Sequence, residues 1–226
     1  MSTTAEPVEL RRSAGNGVGG GRRSRLPSAA IESPLILFVC TANQCRSPLA
    51  EALLRSLLTE RGIEADVASA GLMAGGMPAT ETGVDVLVGR GIEAGRHRSR
   101  NIADPDVRLS SADVIIGMER RHVQEVVLLD PALERRAFTL IDLVRRAEAA
   151  PPRQDGVRLR AWAEGLSTGR RRSELLGVGD DAVADPIGRG RDTYEATADL
   201  LVDLLGRLVG RAFPAAVAGG VEARSA

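Results

Sequence analysis

The chain has 226 residues with 30 basic and 30 acidic side chains, so its formal net charge is zero. This balance gives no support for nucleic acid or an anionic membrane as a partner, since either would favour a basic excess. No run reaches the roughly 20 consecutive apolar residues of a membrane helix, so we expect no membrane span. With 43% hydrophobic residues, the chain is long enough for one sizeable domain with tails.

The two ends of the chain differ in composition from its middle. Residues 1–33 are rich in Gly, Ser, Arg and Ala without apolar periodicity, which predicts a disordered N-terminal tail. Residues 213–226 predict a flexible C-terminal tail, which leaves one domain over 34–212. A polar stretch at about 150–180 reads as an insertion in that domain. Its arginine run, Arg170–Arg172, favours a solvated surface over a patch that recruits an acidic substrate.

Apolar runs in the middle of the chain alternate between strand-like and helix-like patterns. The predicted strands are Leu35–Val39, Val67–Ala70, Asp113–Met118 and Ala137–Leu140. The predicted helices are one that opens with Ser47 as N-cap and Pro48 as first residue, one over 79–90, one through Val123, Val126 and Val127, and one over 198–209. Such alternation predicts an α/β fold, with a parallel sheet covered by helices on both faces.

The loop between the first strand and the first helix carries the candidate chemistry. Cys40 follows the strand and Arg46 comes six positions later. In open parallel sheets, ligands bind outside the carboxyl ends of the strands, and a helix N-terminus attracts anions. Backbone N–H groups of this loop can surround a phosphate while Arg46 binds two of its oxygens. The same positive field favours the thiolate of Cys40, which predicts a nucleophile, and Ser47 is placed to donate a hydrogen bond to it.

The stretch from Phe38 to Glu51 resembles the active-site signature of the low-molecular-weight protein tyrosine phosphatases. Further stretches similar to that family are Ser69–Gly71, His97–Arg100, Val114–Arg121 and Asp185–Pro186. The resemblance covers about residues 34–210 and implies a four-stranded parallel sheet in a Rossmann-like phosphatase fold. It also implies a reaction without metal or cofactor that passes through a phosphocysteine on Cys40.

The resemblance assigns further residues one by one. The phosphate-binding loop comprises Thr41, Ala42, Asn43, Gln44, Cys45 and Ser47. Asn43 matches a family Asn in the left-handed conformation that a later His supports, and His97 matches that His. Ser69 matches a Ser that supports the loop. Cys45 matches a Cys that forms a disulfide with the nucleophile, although a packing role is an equal alternative. Because two cysteines in one loop do not make a disulfide framework, a cytoplasmic setting is expected.

Departure of the leaving group needs a proton donor, and Asp185 before Pro186 resembles the general acid of the family. Spacing alone does not choose between Asp185 and its rivals Asp180, Asp181 and Asp192. The family normally has an aromatic residue soon after Asp-Pro, whereas Ile187 stands there in this chain. Selectivity for phosphotyrosine over other phosphomonoesters therefore stays open.

The sequence as a whole predicts a phosphomonoester hydrolase, and by resemblance a protein tyrosine phosphatase. Its expected substrate is a phosphorylated protein, a tyrosine kinase among them, or a small phosphomonoester. One alternative is an arsenate reductase that uses an external small thiol, because the chain has no cysteine beyond Cys40 and Cys45 to relay a disulfide to thioredoxin. The other alternative is a phosphate-binding module without catalysis, which would have no use for Asp185.

Overall fold

The computed structural model describes residue 1 and residues 33–171, 174–175 and 179–214. The residues described from Ser33 onward belong to one compact unit. The tails predicted over 1–33 and 213–226 lie almost entirely outside the described residues. No helix in the described part of the chain is long and apolar enough to cross a bilayer.

Four parallel strands form the sheet, as the alternating pattern predicts. They are β1 (Leu35–Cys40), β2 (Asp66–Gly71), β3 (Val114–Gly117) and β4 (Ala137–Thr139), in the order β2-β1-β3-β4. Leu37 of β1 pairs with Ala68 of β2 on one side and with Ile115 of β3 on the other. The predicted α/β fold with a four-stranded parallel sheet is confirmed.

Six α-helices connect and flank the strands. They are α1 (Arg46–Glu60), α2 (Glu81–Gly89), α3 (Arg120–Leu129), α4 (Leu140–Ala149), α5 (Leu159–Leu166) and α6 (Arg191–Ala212), among the described residues. The predicted start of α1 is wrong by two positions, because Cys45 rather than Ser47 is its N-cap and Arg46 its first residue. The Ser47 hydroxyl bonds to the loop side chains instead of capping the helix.

The apolar side chains lie on both faces of the sheet. Successive residues of β1 point to opposite faces, and this alternation divides the core into two clusters. Ile36 and Phe38 belong to the cluster that includes residues of α1, α4 and α6. Leu37 and Val39 belong to the cluster that includes residues of α3. Burial on both faces explains why β1 is a continuous apolar run.

The strand order places a switch point between β1 and β3. The chain leaves β1 toward β2 on one side of it, whereas β3 and β4 lie on the other side. A crevice opens at such a point outside the carboxyl ends of the two central strands. The loop after Cys40 and the corner after Gly117 therefore meet at the same edge of the sheet.

Arg170, predicted to lie in a solvated run, is partly buried. Its guanidinium carbon lies 4.7 Å from the centre of the Phe138 ring, and it donates hydrogen bonds to the carbonyls of Ala137 and Glu134. The prediction is wrong for this residue because a long arginine side chain covers apolar surface while its head finds acceptors. Arg171 is exposed, and Arg172 lies outside the described residues.

Candidate active site

The sulfur of Cys40 lies at the carboxyl end of β1, and only 3% of the residue is exposed. The Ser47 hydroxyl lies 3.0 Å from this sulfur and 3.3 Å from the Ala70 carbonyl. Asn43 Nδ2 donates to the same hydroxyl over 2.9 Å, so the Ser47 hydrogen points away from Asn43. The single hydrogen of this hydroxyl is then within reach of two acceptors, the Ala70 carbonyl and a thiolate at Cys40.

A cavity of about 320 Å³ opens directly over Cys40. Its walls are Cys40, Thr41, Ala42, Gln44, Cys45, Arg46, Asp185 and Ile187. The structure thus brings the predicted nucleophile, arginine and acid to a single cavity, although Asp185 lies 139 positions after Arg46 in the chain.

Asn43 shapes the loop around this cavity. It is fully buried and has a positive φ of 53°, a left-handed conformation that Asn adopts more readily than most residues. His97 Nε2 donates to the Asn43 carbonyl over 2.7 Å, and Asn43 Nδ2 donates to Ser69 Oγ over 2.8 Å. Ser69 in turn donates to Glu51 over 2.5 Å. The residues that the resemblance assigned to loop support therefore contact Asn43.

Gly71, at the end of β2, lets the loop pass close to the sheet. A Cβ atom there would lie 2.8 Å from Asn43 N and 2.9 Å from Thr41 O. Only glycine leaves room for this approach, because these contacts are backbone atoms that cannot rotate away. The N–H of Leu72, the residue after β2, donates to Thr41 O over 2.8 Å, which ties the loop to the end of β2.

Arg46 and Asp185 are hydrogen-bonded to each other. Arg46 Nη2 donates to Asp185 Oδ2 over 2.6 Å, and Arg46 Nη1 donates to the Val183 carbonyl over 3.2 Å. The Arg46 side chain is 4% exposed and that of Asp185 is 41% exposed. The guanidinium is therefore fixed beneath the cavity, while the carboxylate remains accessible to a substrate.

Glu119, just before α3, and His122, in the first turn of α3, lie beside the phosphate-binding loop, and the sequence analysis did not single them out. Glu119 Oε2 lies 3.9 Å from Arg46 Nη1. The Glu119 N–H donates to His122 Nδ1 over 3.2 Å, so the hydrogen of a neutral His122 lies on Nε2. This nitrogen is 3.0 Å from Thr41 Oγ1 and 3.3 Å from Glu119 Oε1. Burial, with the charges of Arg46 and Arg121, lowers the pKa of His122 to about 3.

Cys45 differs from Cys40 in its surroundings. It is 3% exposed and belongs to the core cluster that also includes Tyr194. Burial, with the negative charge of Asp185, raises the pKa of this thiol to about 12. Both cysteines are free. Disulfide formation requires attack by a thiolate, and burial disfavours the thiolate of Cys45. The disulfide implied by the resemblance stays a prediction.

Comparison with known proteins identifies the class to which this fold and site belong. Residues 35–151 match the model of the family described as low molecular weight phosphotyrosine protein phosphatase. A protein-arginine-phosphatase of Bacillus subtilis (strain 168) is 32% identical over 174 residues, 76% of this chain and 93% of the relative. A probable low molecular weight protein-tyrosine-phosphatase, EpsP, of Ralstonia nicotianae is 37% identical over 132 residues, 58% of this chain and 85% of the relative.

A solved structure extends the similarity over the same fold. It is that of an arginine phosphatase, YwlE, in a variant whose active-site serine replaces a cysteine and is phosphorylated. It is 29% identical, has a TM-score of 0.58, and the match covers 77% of this chain and 92% of the other. The chain belongs to the low-molecular-weight phosphotyrosine protein phosphatase family, and it is a phosphatase of that type.

Proposed function

We propose that this protein hydrolyses phosphorylated protein side chains, phosphotyrosine first among them, through a covalent phosphocysteine on Cys40. The observation that carries the proposal is the convergence of Cys40, Arg46 and Asp185 on one cavity. Each of the three supplies a function that phosphoryl transfer needs, namely a nucleophile, a cationic clamp and a proton donor.

The proposed reaction has two steps. Phosphate binds Arg46 in place of the Asp185 carboxylate, and the Cys40 thiolate forms an S–P bond as the P–O bond to the leaving group breaks. Asp185, protonated at this stage, gives its proton to the departing oxygen. A water molecule then loses a proton to Asp185 and attacks phosphorus, so that the S–P bond breaks and inorganic phosphate leaves.

A relative supports the covalent intermediate. The YwlE variant described above carries phosphate on a serine that replaces an active-site cysteine. Transfer of phosphate to that position in a similar fold favours Cys40 as the corresponding acceptor here. The similarity to phosphatases lends no support to the two alternatives from the sequence, arsenate reduction and phosphate binding without turnover.

A second candidate substrate is phosphoarginine. The match to the protein-arginine-phosphatase of Bacillus subtilis covers 76% of this chain, against 58% for the match to EpsP. The described walls of the cavity hold Ile187 and no aromatic side chain that would flank a tyrosine ring. The carboxylates of Asp185 and Glu119 lie close to Arg46, and their negative charge suits a guanidinium leaving group.

Replacement of Asp185 by asparagine is expected to lower kcat for phenyl phosphate by ~10²-fold, because the strongly basic phenolate then leaves without a proton. Hydrolysis of 2,4-dinitrophenyl phosphate, which has a weakly basic leaving group, should change far less. The matched control is Asp192→Asn, which removes an exposed carboxylate at the start of α6. An unchanged rate for phenyl phosphate in Asp185→Asn would show that another group is the acid.

One peptide synthesised with phosphotyrosine or phosphoarginine at the same position separates the two candidate substrates. For an arginine phosphatase we expect kcat/KM for phosphoarginine to exceed that for phosphotyrosine by ~10-fold or more, since the carboxylates of Asp185 and Glu119 would pair with a guanidinium leaving group but not with a phenol. The measurement is phosphate release at a fixed pH. A ratio in the opposite direction assigns the site to phosphotyrosine.

A further inference from the structure

The segment that leads to Asp185 alternates between buried and exposed residues. Asp181, Val183 and Pro186 are buried, whereas Asp185 is exposed. Val183 is held through its backbone, because its N–H donates to Met118 O over 2.8 Å and its carbonyl accepts from Arg46. Asp181 is held through its side chain and is only 4% exposed.

Both carboxylate oxygens of Asp181 are hydrogen-bonded. Arg120 Nε donates to Oδ1 over 2.8 Å, and Thr139 Oγ1 donates to Oδ2 over 2.9 Å. Arg120 opens α3 just after β3, and Thr139 is the last residue of β4. Asp181 therefore joins the segment to the carboxyl ends of two neighbouring strands, at the edge of the sheet where the site lies.

This buried ion pair calls for an explanation other than stability. Burial of a carboxylate costs hydration energy, and well-packed apolar residues are often at least as stabilising as a buried ion pair. Two directed hydrogen bonds instead hold a loop in a defined position. Arg120 is also adjacent to Glu119, which approaches Arg46, so one corner contacts both the phosphate-binding loop and the segment of Asp185.

The need for such an anchor arises when phosphate binds. The Asp185 side chain is held by Arg46 at 2.6 Å and by the Ile187 N–H at 3.1 Å. Because phosphate takes over Arg46, Asp185 loses the first of these partners at the moment when it must act. Its position relative to the leaving oxygen then depends on the backbone, which Val183 and Asp181 anchor.

We propose that Asp181 is a positioning residue that holds Asp185 at the distance from which it protonates the leaving group. The inference rests on the proposed function, since it requires that Asp185 is the general acid. Displacement of a catalytic group by about 1 Å costs ~10²-fold in rate, so a loosened anchor has a measurable effect. The effect is confined to substrates whose leaving group needs a proton.

The test is Asp181→Asn, assayed with a series of aryl phosphates of graded leaving-group basicity. We expect kcat for phenyl phosphate to fall by ~10-fold and kcat for 2,4-dinitrophenyl phosphate to stay within ~2-fold, because only the first reaction needs the acid. Inhibition by inorganic phosphate should not weaken, because the cradle around Cys40 is unchanged. If Asp181→Asn does not fold, Arg120→Gln removes the same ion pair from a side chain that is 22% exposed.

The matched control is Asp113→Asn. Asp113 also uses both carboxylate oxygens, with the Leu35 N–H at 2.8 Å and Arg160 at 3.2 Å, but it lies at the opposite edge of the sheet. We expect this variant to change both substrates by the same factor. Equal losses for both substrates in Asp181→Asn would reduce Asp181 to a stabilising role and overturn the inference. Failure of Asp185→Asn to depend on the leaving group would instead overturn the proposed function.

Discussion

Replacement of Cys40 by serine is expected to abolish turnover of aryl phosphates, with kcat lower by ~10⁴-fold or more. A serine hydroxyl is not ionised at neutral pH, and once phosphorylated it is a much poorer leaving group than a thiolate. The smaller oxygen fits the buried position, so the fold should persist. Steady-state phosphate release measures the loss, and mass spectrometry reports any phosphate that remains on residue 40.

The matched control for this variant is Cys45→Ser in the same loop. Cys45 is equally buried, but burial raises the pKa of its thiol to about 12, so it is a poor candidate for a nucleophile. We expect a loss of kcat below ~10-fold, since the substitution keeps a small polar group at the start of α1. Substantial residual turnover in Cys40→Ser, or a loss in Cys45→Ser as large as that in Cys40→Ser, would contradict the assignment of the nucleophile.

Replacement of Arg46 by lysine is expected to lower kcat/KM by ~10³-fold, the scale reported for loss of a donor to a developing charge. Lysine keeps the positive charge but cannot bind two phosphate oxygens as a planar fork. It also cannot reproduce the contacts of Arg46 with both Val183 and Asp185. The measurement is kcat/KM for an aryl phosphate together with inhibition by inorganic phosphate, which should weaken in parallel.

Arg55→Lys is the corresponding control on the same helix. The Arg55 side chain is 60% exposed and pairs with Glu51, so it does not face the cavity. We expect kcat/KM to stay within ~2-fold, as for most surface substitutions. If Arg46→Lys also stays within this range, the guanidinium is not the phosphate clamp.

The predicted features that the structure confirms are those encoded by short stretches of sequence. The continuous apolar run of β1 predicted a strand buried on both faces, and the structure has it in the centre of the sheet. The loop from Cys40 to Arg46 is similarly local, because nearly all of its geometry arises between one strand end and one helix start. The start of α1 was misplaced because Ser47 looks like an N-cap, whereas its hydroxyl bonds to Asn43 and lies beside Cys40.

The features that the sequence missed depend on residues far apart in the chain. Nothing local in Glu119 or His122 indicates that they approach Arg46 and Thr41. The choice between Asp181 and Asp185 was likewise not decided by spacing. In the structure, Asp181 is buried against Arg120 whereas Asp185 lines the cavity. The two carboxylates are therefore distinguished by their tertiary contacts.

The sequence by itself determined the type of fold and the local cradle, because strand burial, helix starts and a cysteine–arginine loop depend on neighbouring residues. The resemblance pointed to Asp185 as the acid, but only the tertiary structure shows that this carboxylate meets the cradle and what holds it there. The physical reason is that Asp185 approaches Arg46 across 139 positions. Its segment is anchored just after β3, at Met118 and Arg120, and at the end of β4, at Thr139, and no local sequence pattern indicates these contacts.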